Sequence, residues 1–194
     1  MATHQKASVE IVNQSGHKLL SVKIIHKYSD IASYTKQLDW TSIPNGAKSS
    51  NAQEVDYNTG AFTTGRDWWE VTWVNDLGEV YLTDPHNFRN LLDFGEKIGK
   101  FLSAPAMAIG SKVAITSPEP TSKTIGAAVA ATGFIAELLL NSGTTDGYKQ
   151  HILRSEDTKE ATQVIIKGNE VEFKSKSGSS HTGFRKVHTL PLPH

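Results

Sequence analysis

The sequence predicts a mainly β protein, α+β overall, in which an antiparallel β-sandwich carries a helical insertion at about 84–143. Three observations support this. Short β-branched and alternating runs occupy both ends of the chain, turn signals separate them, and in a central block the apolar period changes from two to that of a helix. At 194 residues the chain can form one sizeable core, so we read a single domain, 1–194.

The first third reads as strands. Val9 and Ile11 precede an Asn13-Gln-Ser-Gly16 turn, and Leu19 to Tyr28 follows as a β-branched run. That order suggests a hairpin. Trp40 to Gly46 ends in Pro-Asn-Gly, a turn whose Asn-Gly pair favours positive φ, and Val55 and Tyr57 alternate as a short strand. A loop with glycines at 60 and 65 feeds the clearest strand, Asp67 to Val74. Alternation puts Trp69, Val71 and Trp73 on a core face and Trp68, Glu70 and Thr72 on the other. Asn75-Asp-Leu-Gly78 then turns the chain into Glu79–Thr83 as a hairpin.

At Asp84-Pro85 the pattern becomes helical, with an Asp N-cap and a Pro at the first helical position. Phe88, Leu91, Leu92, Ile98, Phe101 and Leu102 form an amphipathic stripe of about five turns, weakened at Gly95 and Gly99 by about 1 kcal/mol each. A weaker segment, Ala106 to Ile115, ends at Ser117-Pro-Glu-Pro120. A third helix runs from near Ser122 to Leu140 and stops at Asn141-Ser-Gly143. Its apolar run, Ile125 to Leu140, spans roughly 24 Å, short of the ~30 Å hydrocarbon core, so it is not expected to cross a membrane. On a helical wheel Gly126, Ala130, Gly133 and Glu137 form one stripe, which suits either close contact with a neighbour or an oligomer or bilayer surface. The tail returns to strands at Tyr148–Leu153, Ala161–Ile166, Val171–Lys174 and Ser180–Val187, and Pro191 and Pro193 bar a further central strand.

Composition removes several function classes. Lys+Arg and Asp+Glu each number 20, so the basic excess of a nucleic-acid binder is missing. There is no Cys, which removes disulfides, thiolate metal sites and Cys nucleophiles. The N-terminal residues carry no signal-like apolar stretch, so a cytoplasmic chain is expected, or one exported by an unconventional route. The eight histidines show no HExxH or other metal-ligand spacing, and no Gly-x-Ser-x-Gly elbow occurs. Gly95-Glu-Lys-Ile-Gly-Lys100 lacks the preceding strand and following Ser/Thr of a phosphate loop. His26, His151, Glu156 and Asp157 could meet only through folding. No catalytic residue, metal or cofactor is expected, and the chain is read as no enzyme.

Several phrases carry a family resemblance. His26-Lys-Tyr-Ser29, Tyr57-Asn-Thr-Gly60, Thr64-Gly-Arg-Asp-Trp-Trp-Glu-Val-Thr-Trp73, Thr83-Asp-Pro85, Tyr148-Lys-Gln-His151 and Val171-Glu-Phe-Lys-Ser-Lys-Ser-Gly178 resemble the PUD-type domain. That family is similar in fold to aegerolysins and actinoporin-like cytolysins. The resemblance implies an aegerolysin-like β-sandwich without established catalytic residues, whose relatives bind membrane lipids and in some cases form pores with a partner. The helical block departs from a compact aegerolysin.

The residues themselves nominate a surface. Trp68 faces away from Trp69, so it is either covered by the insertion or open beside Tyr57 and Tyr81 as a lipid or sugar platform. Phe62 joins them on its loop, and Arg66 and Asp67 could bond sugar hydroxyls. The ligand-binding candidates are therefore Trp68, Tyr57, Tyr81, Phe62, Arg66 and Asp67. The partner classes are a membrane lipid or a partner protein, with a glycan or a homo- or hetero-oligomer as the alternatives.

Overall fold

The computed structural model describes residues 2–29, 31–60, 65–84, 96–97, 99–101, 120–140 and 147–191. Ten strands are present: β1 (Thr3–Gln14), β2 (Leu19–Tyr28), β3 (Lys36–Ile43), β4 (Gln53–Thr59), β5 (Asp67–Asn75), β6 (Glu79–Asp84), β7 (Lys149–Gln150), β8 (Thr162–Lys167), β9 (Val171–Ser175) and β10 (Gly178–Thr189). They join in the order β3-β2-β5-β6-β10-β9-β8-β1-β4, with the short β7 beside β5. The long β10 passes from one layer to the other, bonding β9 through its first half and β6 through its second. The result is one mixed sheet, folded into two facing layers and nearly closed like a barrel. Side chains bridge its two edges: the Trp40 indole N–H donates to the Asn51 carbonyl at 2.9 Å and the Gln53 amide to the Asp39 carbonyl.

The mainly β fold with a helical insertion is as the sequence indicates, and two pairings differ. β1 and β2 form no hairpin: β1 pairs β4 antiparallel and β8 in parallel, while β2 pairs β3 and β5. Ala7, Val9 and Ile11 from β1 and Val22 and Ile24 from β2 enter one core from opposite layers, which side-by-side pairing would prevent. The Asn13 amide pins the corner by donating to the carbonyls of His17 and Ile43 at 2.8 and 2.9 Å, and Gly16 supplies φ +90° there. The β1–β8 pair is also an exception to an antiparallel sandwich. The long stretch of chain between these strands makes a parallel pairing reachable. The β5–β6 hairpin forms as expected.

Two cores result. Trp69, Val71 and Trp73 face the inner one together with Tyr57, Val164 and Phe173, as alternation requires. The other face of β2 and β5 is covered by a helix, α1 (Pro120–Leu140). This double coverage explains why β2 is buried almost throughout instead of alternating. α1 buries Ala128, Ala131, Thr132, Ile135, Ala136 and Leu139, a stripe at helical spacing. The Ser21 and Thr132 hydroxyls meet beneath it at 2.9 Å.

The Gly126/Ala130/Gly133/Glu137 stripe lies outward: Glu137 is exposed, and a Cβ at Gly133 would meet nothing within 4 Å. The alanines make the close approach instead. At 21 residues the helix is roughly 31 Å long, and Ser122–Leu140 is long and apolar enough to cross a membrane. The length argument made on Ile125–Leu140 alone is therefore corrected, though a core helix passes the same test. Of the first expected helix, residues 96, 97 and 99–101 are helical, and Phe101 stacks on Phe134. Asp84, expected as the N-cap, ends β6; Pro85, the rest of that helix and Ala106–Ile115 fall on residues outside those described.

Candidate functional site

At the end of the sandwich where β5 begins, buried polar groups tie several segments together. His26 Nε2 and Asp67 Oδ1 lie 2.8 Å apart, both fully enclosed. The other Asp67 oxygen accepts the Leu153 N–H at 2.9 Å, and the Asp67 carbonyl accepts from the His151 N–H. The Trp69 indole N–H donates to the His151 carbonyl at 2.9 Å, and the Tyr57 hydroxyl donates to the Arg154 carbonyl at 2.8 Å. Asp157, buried, accepts the Arg154 N–H at 2.6 Å, and both the N–H and the hydroxyl of Ser177, at 2.7 and 2.6 Å. Burial, and then the nearby charges of Asp157 and Asp67, push the Tyr57 hydroxyl well above its ordinary pKa, so it stays a donor.

The neighbouring loops are tied in the same way. The Ser29 N–H donates to the Arg66 carbonyl at 2.8 Å, and the Arg66 N–H donates to Ser29 Oγ at 2.9 Å. The Tyr28 and Tyr34 hydroxyls donate to the Asn58 carbonyl and side chain. Backbone pairs and side-chain-to-backbone bonds together satisfy these loop groups, so loops that would otherwise be loose are held in place.

Above this frame the surface is amphipathic. Ile152 is 46% exposed and Ile31 38%, and the side chains of Arg66 and Arg154 are exposed, with no ion pair at either among the described residues. Two depressions flank Ile152 and Arg154. One, of about 350 Å³, extends toward Asn58, Gly65 and Glu156; the other, of about 260 Å³, extends toward Ser179 and Ser180.

The six nominated residues separate. Arg66 is on this surface. Phe62 lies outside the described residues. Tyr57 and Asp67 are fully buried and fasten the loops from below, so as contact residues they are corrected. Trp68 is half-buried and packs against the core beneath α1, so it is no open platform. Tyr81 stands elsewhere, stacked on Trp73 at 5.4 Å and edge-on to Phe184, its hydroxyl donating to Glu79 at 2.7 Å. Burial and that carboxylate raise its pKa to about 12.

Ile152 and Arg154 did not emerge from the sequence reading. The expected strand Tyr148–Leu153 is a strand only at Lys149–Gln150, but alternation continues in the extended segment beyond it, with His151 and Leu153 buried and Ile152 exposed.

Two parts of a catalytic relay exist, on different rings. Asp67 holds His26, and Ser180 Oγ sits 3.0 Å from His151 Nδ1. Among the described residues no ring joins a hydroxyl to a carboxylate, and no group of three His, Asp or Glu is arranged for a metal.

The fold is a β-rich, nearly closed mixed sheet, one end of which exposes Ile31, Arg66, Ile152 and Arg154. The family described as Up-Regulated in long-lived daf-2 (PUD1_2) matches residues 3–184, and the chain belongs to this PUD-type domain family, which is not an enzyme family. No curated protein matches it.

Proposed function

We propose that the protein is a non-catalytic binding protein that docks on a membrane surface through the end of the sandwich carrying Ile31, Arg66, Ile152 and Arg154. The observation that carries this reading is the exposed Ile152 two residues from Arg154, which makes no ion pair among the described residues, both on a segment fixed from below by Asp67, Tyr57 and Asp157. An apolar tip beside a guanidinium matches the boundary between acyl chains and lipid phosphates. Preorganisation also lowers the entropy lost on docking.

Magnitudes limit what the surface can do alone. Burying the exposed parts of two isoleucines yields about 1 kcal/mol each. Two arginines near an anionic leaflet add about 1 kcal/mol each. The sum, about 4 kcal/mol, corresponds to roughly millimolar affinity. Useful attachment therefore needs either a specific headgroup contact or several copies acting together. The second need favours an oligomeric or pore-forming assembly as a further part of the proposal, with the outward apolar face of α1, where Val129 is 40% exposed, as its contact. A sugar platform on Trp68 and Asp67 finds no support in the burial of those residues.

Cosedimentation with vesicles of varied composition tests the reading, with dye leakage as the test for pores. Trp40, Trp69 and Trp73 are buried and Trp68 packs against a core, so tryptophan fluorescence is not expected to shift on binding. Absence of cosedimentation with every neutral and anionic mixture would overturn the proposal.

A further inference from the structure

We propose that the 260 Å³ depression between segment 150–154 and the start of β10 is a binding site for a phosphoryl group, resting on the membrane-docking reading for its biological setting but not for its chemistry. No Asp or Glu lines this depression. Its lining includes Arg154, Ser179, Ser180, Gln150 and His151, with Ile152 at the side. The Arg154 side chain is exposed and makes no ion pair among the described residues. A guanidinium at a depression whose lining holds no carboxylate matches the oxygens of a phosphate ester.

Two buried polar atoms here, the Gln150 amide nitrogen and His151 Nε2, have no hydrogen-bond partner among the described residues. His151 is 5% exposed, with Nδ1 3.0 Å from Ser180 Oγ. An orphaned buried N–H is costlier than an orphaned lone pair, so the neutral ring places its proton on Nδ1 and donates it to Ser180 Oγ. Burial holds the His151 pKa below its ordinary value, keeping the ring neutral. Ser180's own hydroxyl proton is then free to point toward a bound oxygen. Ser177 cannot take this role, because Asp157 already holds its N–H and hydroxyl, but it fixes the hairpin on which Ser179 and Ser180 stand. Arg154 and Ser180 are thus anchored on two segments, both referred to Asp157. The Arg154 guanidinium, the Gln150 amide nitrogen and the Ser180 hydroxyl are donors around the depression, and an acceptor-rich anion is what they fit.

The test is a titration of the full chain with inorganic phosphate, read by backbone amide NMR shifts at residues 150–154 and 177–180. The same measurement is made on Arg154→Gln and Ser180→Ala, with native spectra required of each variant. We expect saturable shifts confined to these segments and at least about tenfold weaker binding in Arg154→Gln. Absence of shifts at these segments, or shifts that are unchanged in Arg154→Gln, would overturn the site.

Vesicles then distinguish the source of the phosphate. Retention on phosphatidylcholine vesicles containing phosphatidic acid, reduced by added inorganic phosphate, would support a lipid headgroup. Shifts with free phosphate and no retention would support a soluble phosphoester in the same site. Retention that neither Arg154→Gln nor added phosphate alters would overturn the phosphoryl site while leaving membrane docking in place.

Discussion

A methyl group added at Gly65 would sit 1.9 Å from the Tyr28 hydroxyl oxygen, whereas one added at Gly133 would meet nothing within 4 Å. The same substitution should therefore have opposite signs. Gly65→Ala is expected to destabilise by about 1–3 kcal/mol, because Tyr28 must leave its bond to Asn58. Gly133→Ala, on the outer face of α1, should stabilise by up to about 1 kcal/mol. Urea unfolding of both variants checks this.

His151 gives a pH dependence at the same scale. Burial lowers its pKa against an ordinary value of 6.5, although Asp157 and Asp67 pull the other way. The unfolded chain therefore binds the proton more readily than the folded one. The contribution of His151 to stability is fully present above pH 6.5 and is lost as pH falls below it toward the folded pKa. His188 is shifted in the same direction by burial, so the test is the change of slope. His151→Gln should flatten the fall in urea midpoint below pH 6.5, and an unchanged slope would refute this role. None of these effects was legible in the sequence, because Tyr57, Asp67 and His151 owe their roles to partners up to 97 positions away.

β5 and α1 mark what local pattern reveals at the scale of elements. The alternation of Trp69, Val71 and Trp73 predicts their shared core face, because period two follows from strand geometry alone. The apolar run of the third helix predicts its existence but not which face it buries. Nearly every position is apolar or small, and the tertiary choice falls on the alanine stripe. The β1–β2 turn fails as a hairpin signal for a related reason: Asn13-Gln-Ser-Gly16 specifies a reversal, not the layer to which the next strand belongs. The helix–sheet contact can be tested at Thr132, whose hydroxyl meets Ser21 and also bonds the Ala128 carbonyl. Thr132→Val keeps the shape and leaves Ser21 without this partner. We expect a loss of about 1–2 kcal/mol in urea unfolding, whereas a change near zero would mean that the buried pair does not help hold α1.

For the whole molecule, the order of elements leads to the β-rich fold and the phrases around Thr64–Trp73 and Val171–Gly178 carry the resemblance to the family, while the site depends on convergence. Ile31, Arg66 and Ile152 come from three segments far apart in sequence, and only closure of the mixed sheet brings their loops to one end. The opposite end offers an internal control. Leu77, in the β5–β6 turn, is 58% exposed, more than Ile152, and lies beyond the far end of β5, roughly 30 Å from its start. If exposed apolar area alone caused membrane attachment, Leu77 would count at least as much. The most direct measurement is therefore cosedimentation of Ile152→Asp and Leu77→Asp, beside the unaltered chain, with anionic vesicles. Loss of binding in Ile152→Asp with binding retained in Leu77→Asp is the expected result; equal binding by both variants and the unaltered chain would contradict docking through this end.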